Sequence, residues 1–78
     1  MYHCNRTTTT IVRDDMGTPY DVYGVIVRGE DGATIFSAED LTFHRNEIDA
    51  FICNWNLLQP EPIHFYDIVE DFIEAEHL

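Results

Sequence analysis

Imidazole and carboxylate side chains are concentrated in one short segment near the end of the chain. His64, Asp67 and Asp71 follow one another at spacings of three and four residues, and Glu70 and Glu74 continue the acidic series. On a helix these spacings bring side chains to one face, within reach of a single ion. An imidazole with two carboxylates suits Mn, Fe or Zn. The segment therefore contains a candidate metal site made of His64, Asp67 and Asp71.

The same residues also allow two simpler interpretations. A tight metal site normally draws ligands from a second element, and the sequence shows no such element. The polar face of the helix would then be solvated, or it would contact another protein. We favour these interpretations and expect no bound metal or cofactor. The candidate interaction face comprises His64, Asp67, Glu70, Asp71 and Glu74.

No segment has the pattern of an active site. The chain contains no Gly-rich phosphate loop, no G-x-S-x-G elbow and no H-E-x-x-H motif. Cys53 lies off the apolar stripe of its helix in acidic surroundings, which disfavour a reactive thiolate. The two cysteines, Cys4 and Cys53, lack zinc-site spacing, and a disulfide between them stays open. We therefore predict a protein that is not an enzyme and that resides in the cytoplasm.

The elements that must position these residues can be read from local patterns. A β-branched run predicts a strand over about residues 7–13, after a loose stretch over residues 1–6. Alternating apolar residues predict a second strand over 20–29, with Gly24 marking a bulge or a close neighbour. An Asp31-Gly32 hairpin signal precedes a third strand over 33–38. Connections this short require an antiparallel meander.

After the strands, the apolar period changes to that of helices. Thr42 is the expected N-cap of a helix over about residues 43–56, and Pro62 is the expected first residue of a helix over 62–76. Each helix has one apolar face, so both should pack on one face of the sheet. The predicted fold is a single α+β domain over residues 1–78, a three-stranded antiparallel β-meander followed by two α-helices (βββαα). The expected core lists Ile48, Phe51, Ile52, Trp55, Val69 and Phe72 with Val22 or Val25.

Composition limits the partners of this domain. Fifteen Asp and Glu residues stand against four Lys and Arg, which gives a net charge of −11, and ten of the acids lie in residues 39–78. Such a surface repels phosphate backbones and anionic lipid, so we expect no direct nucleic-acid contact. No stretch approaches the roughly 18 apolar residues of a membrane span. A basic protein is the complementary partner, and spaced carboxylates could also mimic a nucleic acid.

Self-association is a further expectation. The second strand is apolar on both sides, and two helices cover one side only. The uncovered side would carry either the set of Tyr20, Val22 and Ile26 or the set of Tyr23, Val25 and Val27. Monomers rarely expose so large an apolar patch, so we expect a homodimer that covers it.

The last helix resembles a segment of a known family. The family comprises short, single-domain bacterial proteins, catalogued as a domain of unknown function, that end in a P-x-H-L-x-D-V-V-E-D-F-like helix. The match here is Pro62-Ile63-His64-Phe65-Tyr66-Asp67-Ile68-Val69-Glu70-Asp71-Phe72-Ile73, with weaker matches at Tyr23-Gly24-Val25, Asp40-Leu41-Thr42 and Cys53-Asn54. Phe65 replaces the more usual Leu. The resemblance implies a free-standing cytoplasmic protein and supplies no activity or ligand.

These observations give three hypotheses for function. The leading one is a non-catalytic interaction or regulatory module that self-associates. The alternative is a metal-binding protein that uses His64, Asp67 and Asp71. The third is a nucleic-acid mimic that binds a basic protein.

Overall fold

The three-stranded meander and the two helices are confirmed by a computed structural model, which describes residues 1–12 and 17–76. The antiparallel sheet has the strand order β1-β2-β3, and the chain then forms two helices, as expected for an α+β fold. None of the helices in the described part of the chain is long and apolar enough to cross a membrane. The elements are β1 (Tyr2–Ile11), β2 (Tyr20–Gly29), β3 (Thr34–Thr42), α1 (Arg45–Leu58), a 3₁₀ turn (Pro62–His64) and α2 (Phe65–Glu76).

β1 begins earlier than predicted. The expectation that residues 1–6 are loose was wrong, since the strand starts at Tyr2, and the predicted end at residue 13 lies outside the described residues. The cause is long-range: Cys4 pairs with Val27 of β2 and is fully buried in the core. Every second side chain of β1 points toward the helices. This alternation is not visible in the sequence, because the residues between Tyr2 and the threonines are mostly polar.

β3 is longer than the predicted strand 33–38 because it continues through a large bulge. Val25 pairs with Ala38, whereas Tyr23 pairs with Thr42, so the segment 39–41 of β3 faces Gly24 alone. Asp40 within this segment has a φ of 57°. Residues 39 and 40 are acidic, and acidic residues are uncommon in strands, so the sequence predicts that the strand ends before them. The bulge keeps Leu41 and Thr42 buried at the end of the sheet.

The helices also begin later than predicted. The N-cap of α1 is His44, not Thr42, because Thr42 still belongs to β3 and its hydroxyl accepts the N–H of His44 at 3.0 Å. The C-terminal end of α1 is the left-handed residue Gln59, whose N–H donates to the Trp55 carbonyl at 2.9 Å. Pro62 starts a 3₁₀ turn, and α2 follows from Phe65.

The core lies between the sheet and the helices. Ile48, Trp55, Val69 and Val25 are buried as predicted, but Phe51, Ile52 and Phe72 are only partly buried at its margin. Its centre is Phe65, whose ring centroid lies 5.0 Å from Trp55, 5.1 Å from Tyr2 and 5.7 Å from Phe36. The full buried cluster is Cys4, Val25, Val27, Leu41, Ile48, Trp55, Phe65 and Val69.

Candidate functional site

Three ligand-type side chains meet where the start of α1 approaches the end of α2. His44 Nδ1 lies 3.1 Å from Glu76 Oε2 and 3.7 Å from Glu47 Oε2. One ligand atom from each of the three residues lies within 4.8 Å of the other two. His44 is the N-cap of α1 and Glu47 lies in its first turn, whereas Glu76 is 32 residues from His44 in sequence. We refer to these three residues as the His44 cluster.

The buried hydroxyl of Thr42 holds the carboxylate of this cluster in place. Thr42 Oγ1 donates to Glu76 Oε2 at 2.7 Å and accepts the backbone N–H of His44 at 3.0 Å. Thr42 itself is only 5% exposed. One side chain at the end of β3 therefore positions groups from α1 and α2 relative to each other.

The His44 cluster combines a shielded carboxylate with exposed groups. The Glu76 side chain is 13% exposed, against 67% for His44 and 55% for Glu47. The cluster borders a cavity of about 310 Å³, whose lining residues are Val22, Asp40, Leu41, Thr42, Phe43, His44 and Glu76. Two carboxylates facing one imidazole leave an excess of negative charge when both are ionised. The arrangement favours a cation.

The predicted metal residues lie elsewhere, on the outer surface of the second helix. His64 is exposed in the 3₁₀ turn, before the α-helical backbone begins, and Asp67 and Asp71 are exposed on α2. Among the described residues, the His44 cluster is the group whose ligand atoms converge, and His64, Asp67 and Asp71 are not part of it. The face of His64, Asp67, Glu70, Asp71 and Glu74 is solvent-exposed, and its role stays a prediction.

Sequence reasoning missed the His44 cluster for an identifiable reason. The helical pattern suggests a boundary histidine at position 44, on the apolar side of α1, but as the N-cap His44 is mostly exposed. The only local signal is the three-residue spacing of His44 and Glu47, and such pairs are common on helices. The partly shielded carboxylate of Glu76 is brought to His44 by tertiary packing.

A second surface of interest is the outer edge of β1. Residues at the C-terminal end of α1 cover the N-terminal half of this edge. Side-chain amides of Asn56 and Gln59 bond the outward backbone groups of Cys4 and Tyr2. Asn56 Oδ1 accepts the Cys4 N–H at 2.8 Å and Asn56 Nδ2 donates to the Cys4 carbonyl at 2.8 Å. Gln59 Oε1 and Nε2 bond the Tyr2 N–H and carbonyl at 3.4 and 3.1 Å. The two side-chain amides thus make the hydrogen bonds that a neighbouring strand would make with Tyr2 and Cys4.

The other half of this edge is open. In an antiparallel ladder, alternate residues direct both backbone groups away from the partner strand. Since Tyr2 and Cys4 point outward, alternation makes Arg6, Thr8 and Thr10 point outward too. No hydrogen bond within the described residues satisfies these outward backbone groups. We refer to residues 6–10 as the open edge.

The opposite edge of the sheet is protected in a different way. β3 carries the bulge at 39–41, the left-handed Asp40 and the acidic residue Glu39. Bulges and charges are established means of preventing edge pairing. Of the three described strands, β1 alone contains no carboxylate.

The sheet face opposite the helices exposes less apolar surface than the sequence suggested. Strand alternation puts Tyr20, Val22 and Ile26 on this face, because Val25 and Val27 lie in the core under the helices. Val22 is nevertheless only 5% exposed, and the ring of Tyr20 contacts that of Phe43 at 5.6 Å. Part of the expected patch is therefore covered by the chain itself.

Both cysteines are free, and they differ in accessibility. Cys4 is fully buried, whereas Cys53 is exposed. Burial raises the pKa of the Cys4 thiol from 9.0 to about 12. Cys4 is therefore held as an inert thiol, and the reactive candidate is Cys53.

We expect one thiol equivalent to react with Ellman's reagent in the native protein at pH 8 and two in denaturant. C53S should abolish the native reaction, whereas C4A should leave it intact. The raised pKa of Cys4 also means that the folded state holds its proton more tightly than the unfolded state. The free energy of unfolding should therefore fall as the pH rises from about 9 toward 12. Rapid native modification of both thiols would contradict the burial of Cys4.

In comparisons with known proteins, no family model matches the chain, and no curated protein or solved structure matches it significantly. The resemblance of the last helix to the bacterial family of unknown function stays a prediction. The function of this chain must therefore be inferred from the geometry of the His44 cluster and of the β1 edge.

Proposed function

We propose that this chain is a small, non-catalytic, cytoplasmic interaction module that self-associates through the open edge. The observation that carries the proposal is the difference between the two halves of the β1 edge. Asn56 and Gln59 bond the outward backbone groups of Cys4 and Tyr2, whereas those of Arg6, Thr8 and Thr10 have no hydrogen-bond partner among the described residues. An unpaired row of backbone donors and acceptors is a template for another strand.

A second copy of the same chain fits this edge. Antiparallel pairing about a two-fold axis at Thr8 would set Arg6 of each copy opposite Thr10 of the other, joining two sheets into one of six strands. The amides on Tyr2 and Cys4 would end the pairing at both sides. The four threonines at 7–10 are β-branched residues suited to a strand.

Charge also favours this edge as the point of approach. Two copies that each carry −11 repel one another, but β1 has no carboxylate of its own, and the neighbouring Asp21 carboxylate accepts the Thr10 hydroxyl at 2.7 Å. The cationic side chain within the open edge, that of Arg6, is bonded to Asp49 at 2.9 Å and lies over the Tyr23 ring. The segment 7–10 is uncharged. The acidic face of α2 is then left to attract a basic protein as a second partner.

The proposal is tested by sedimentation equilibrium across a wide micromolar range. The mass should rise from the 9.1 kDa chain toward a dimer, and added NaCl should strengthen association by screening like charges. T8P removes an outward N–H that the sheet does not use, so this variant should fold and remain monomeric.

I26K is the matched control, because it places a charge on the open sheet face and leaves the edge unchanged. It should dimerise like the natural chain. A natural chain that stays monomeric at the highest concentrations would overturn the proposal. A dimer that survives T8P and is lost in I26K would assign the interface to the sheet face instead.

A further inference from the structure

We propose that the His44 cluster is a binding site for a divalent cation of the zinc type. The ligands are His44 Nδ1 and one carboxylate oxygen each from Glu47 and Glu76, with water completing the coordination. Imidazole and carboxylate groups are the usual nitrogen and oxygen ligands of Zn²⁺, and three protein ligands with a water is a common arrangement.

The spacing of the ligand atoms suits such an ion. Bonds of 2.0–2.2 Å in tetrahedral geometry place ligand atoms about 3.4 Å apart. The two distances from His44 Nδ1, 3.1 Å to Glu76 and 3.7 Å to Glu47, bracket that value. The atoms of the two carboxylates lie within 4.8 Å of each other, so closing the site requires a small rotation of the exposed Glu47 side chain.

The support around the ligands is what separates this cluster from a plain acidic surface. Glu76 is largely buried, and the buried Thr42 hydroxyl donates to the same oxygen, Oε2, that approaches the imidazole. Hydrogen bonds of this kind orient metal-binding carboxylates. Ligands also come from two elements, because the start of α1 supplies His44 and Glu47 while α2 supplies Glu76. The metal site predicted from the sequence lacks both features. Its residues, His64, Asp67 and Asp71, are all exposed and come from one continuous segment of the chain.

An ion here would connect parts of the fold that are distant in sequence. It would bind the native chain alone, because the unfolded chain separates Glu76 from His44 by 32 residues. Ligands that bind only the native state raise its stability in proportion to the logarithm of their concentration. The expected signature is binding that saturates at one ion per chain, with a stability that continues to rise with the logarithm of the free ion concentration.

Thermal unfolding of chelator-treated full-length protein with added ZnCl₂, together with calorimetric titration, tests the inference. We expect one Zn²⁺ per chain and a rise in Tm of about 4–8 °C when free Zn²⁺ is about five times the Kd, with a further rise at higher concentrations. H44A should remove most of the rise. E47Q should weaken binding at least about tenfold, and it keeps the buried Glu76 contacts intact.

H64A is the matched control, because it removes another exposed histidine from the same chain. It should bind Zn²⁺ as the natural protein does. No stabilisation by Zn²⁺, no saturation of the calorimetric titration at one ion per chain, or equal losses in H44A and H64A would overturn the inference and indicate adventitious binding to surface groups. Loss in H64A and D71N with full binding in H44A would place the ion on the outer face of α2.

Discussion

Replacing Phe65 by alanine is expected to lower the free energy of unfolding by about 3–5 kcal/mol, as truncation of a buried phenylalanine does. Phe65 is 2% exposed and contacts three other aromatic rings, from β1, β3 and α1. Its removal would leave a cavity that cannot collapse without moving all three elements. Small domains have only a few kcal/mol of stability, so F65A should be largely unfolded at room temperature.

Urea denaturation followed by circular dichroism measures this effect, and two neighbouring residues provide controls. Y66A changes an exposed ring on the same helix and should cost little. F72A removes a half-buried ring that stacks on Phe51 at 4.4 Å. Its loss in free energy of unfolding should lie between those of F65A and Y66A. From sequence alone Phe72 is expected in the core, so F72A as costly as F65A would contradict the observed packing.

Replacing Gly24 by alanine is the second change expected to have a large effect. A Cβ built at Gly24 would collide with the Ala38 carbonyl oxygen and lie 2.8 Å from Glu39 Cα. Both are backbone atoms next to the β3 bulge, so the strands themselves would have to separate. Overpacking of this kind costs typically about 1–3 kcal/mol, and the rigid backbone places G24A at the upper end.

The sign of the G24A effect makes the test sharp. At an ordinary strand position, alanine is more favourable than glycine by about 0.5–1 kcal/mol, because it has less backbone freedom to lose. Stabilisation by G24A in a urea titration would therefore show that β2 and β3 lie further apart than the collision at Gly24 requires. R28A, at an exposed position of the same strand, should change stability by less than about 0.5 kcal/mol.

G24A also links the fold to the His44 cluster. The bulge opposite Gly24 leads directly to Thr42, whose hydroxyl positions Glu76 and His44. A shift of β3 should therefore weaken Zn²⁺ binding in any G24A protein that still folds. R28A leaves this end of the sheet untouched and should bind the ion normally.

Local patterns in the sequence were sufficient to predict the type and order of the elements. The alternation in β2, the Asp31-Gly32 turn and the apolar stripes of the helices each act over a few residues, and all three were confirmed. Turn chemistry and periodicity are short-range properties, so they can be read from a single chain. The fold class followed from the short connections.

Tertiary structure alone decided the start of β1, the centre of the core and the candidate sites. Tyr2 and Cys4 belong to β1 because they pair with Gly29 and Val27 of β2, and Gln59 and Asn56, more than 50 residues later, bond their outward backbone groups. Glu76 meets His44 across 32 residues. These contacts have no periodic signature, since they depend on how the helices lie against the sheet. Burial and side-chain convergence are properties of the packed chain, and local sequence does not encode them in a form that can be read directly.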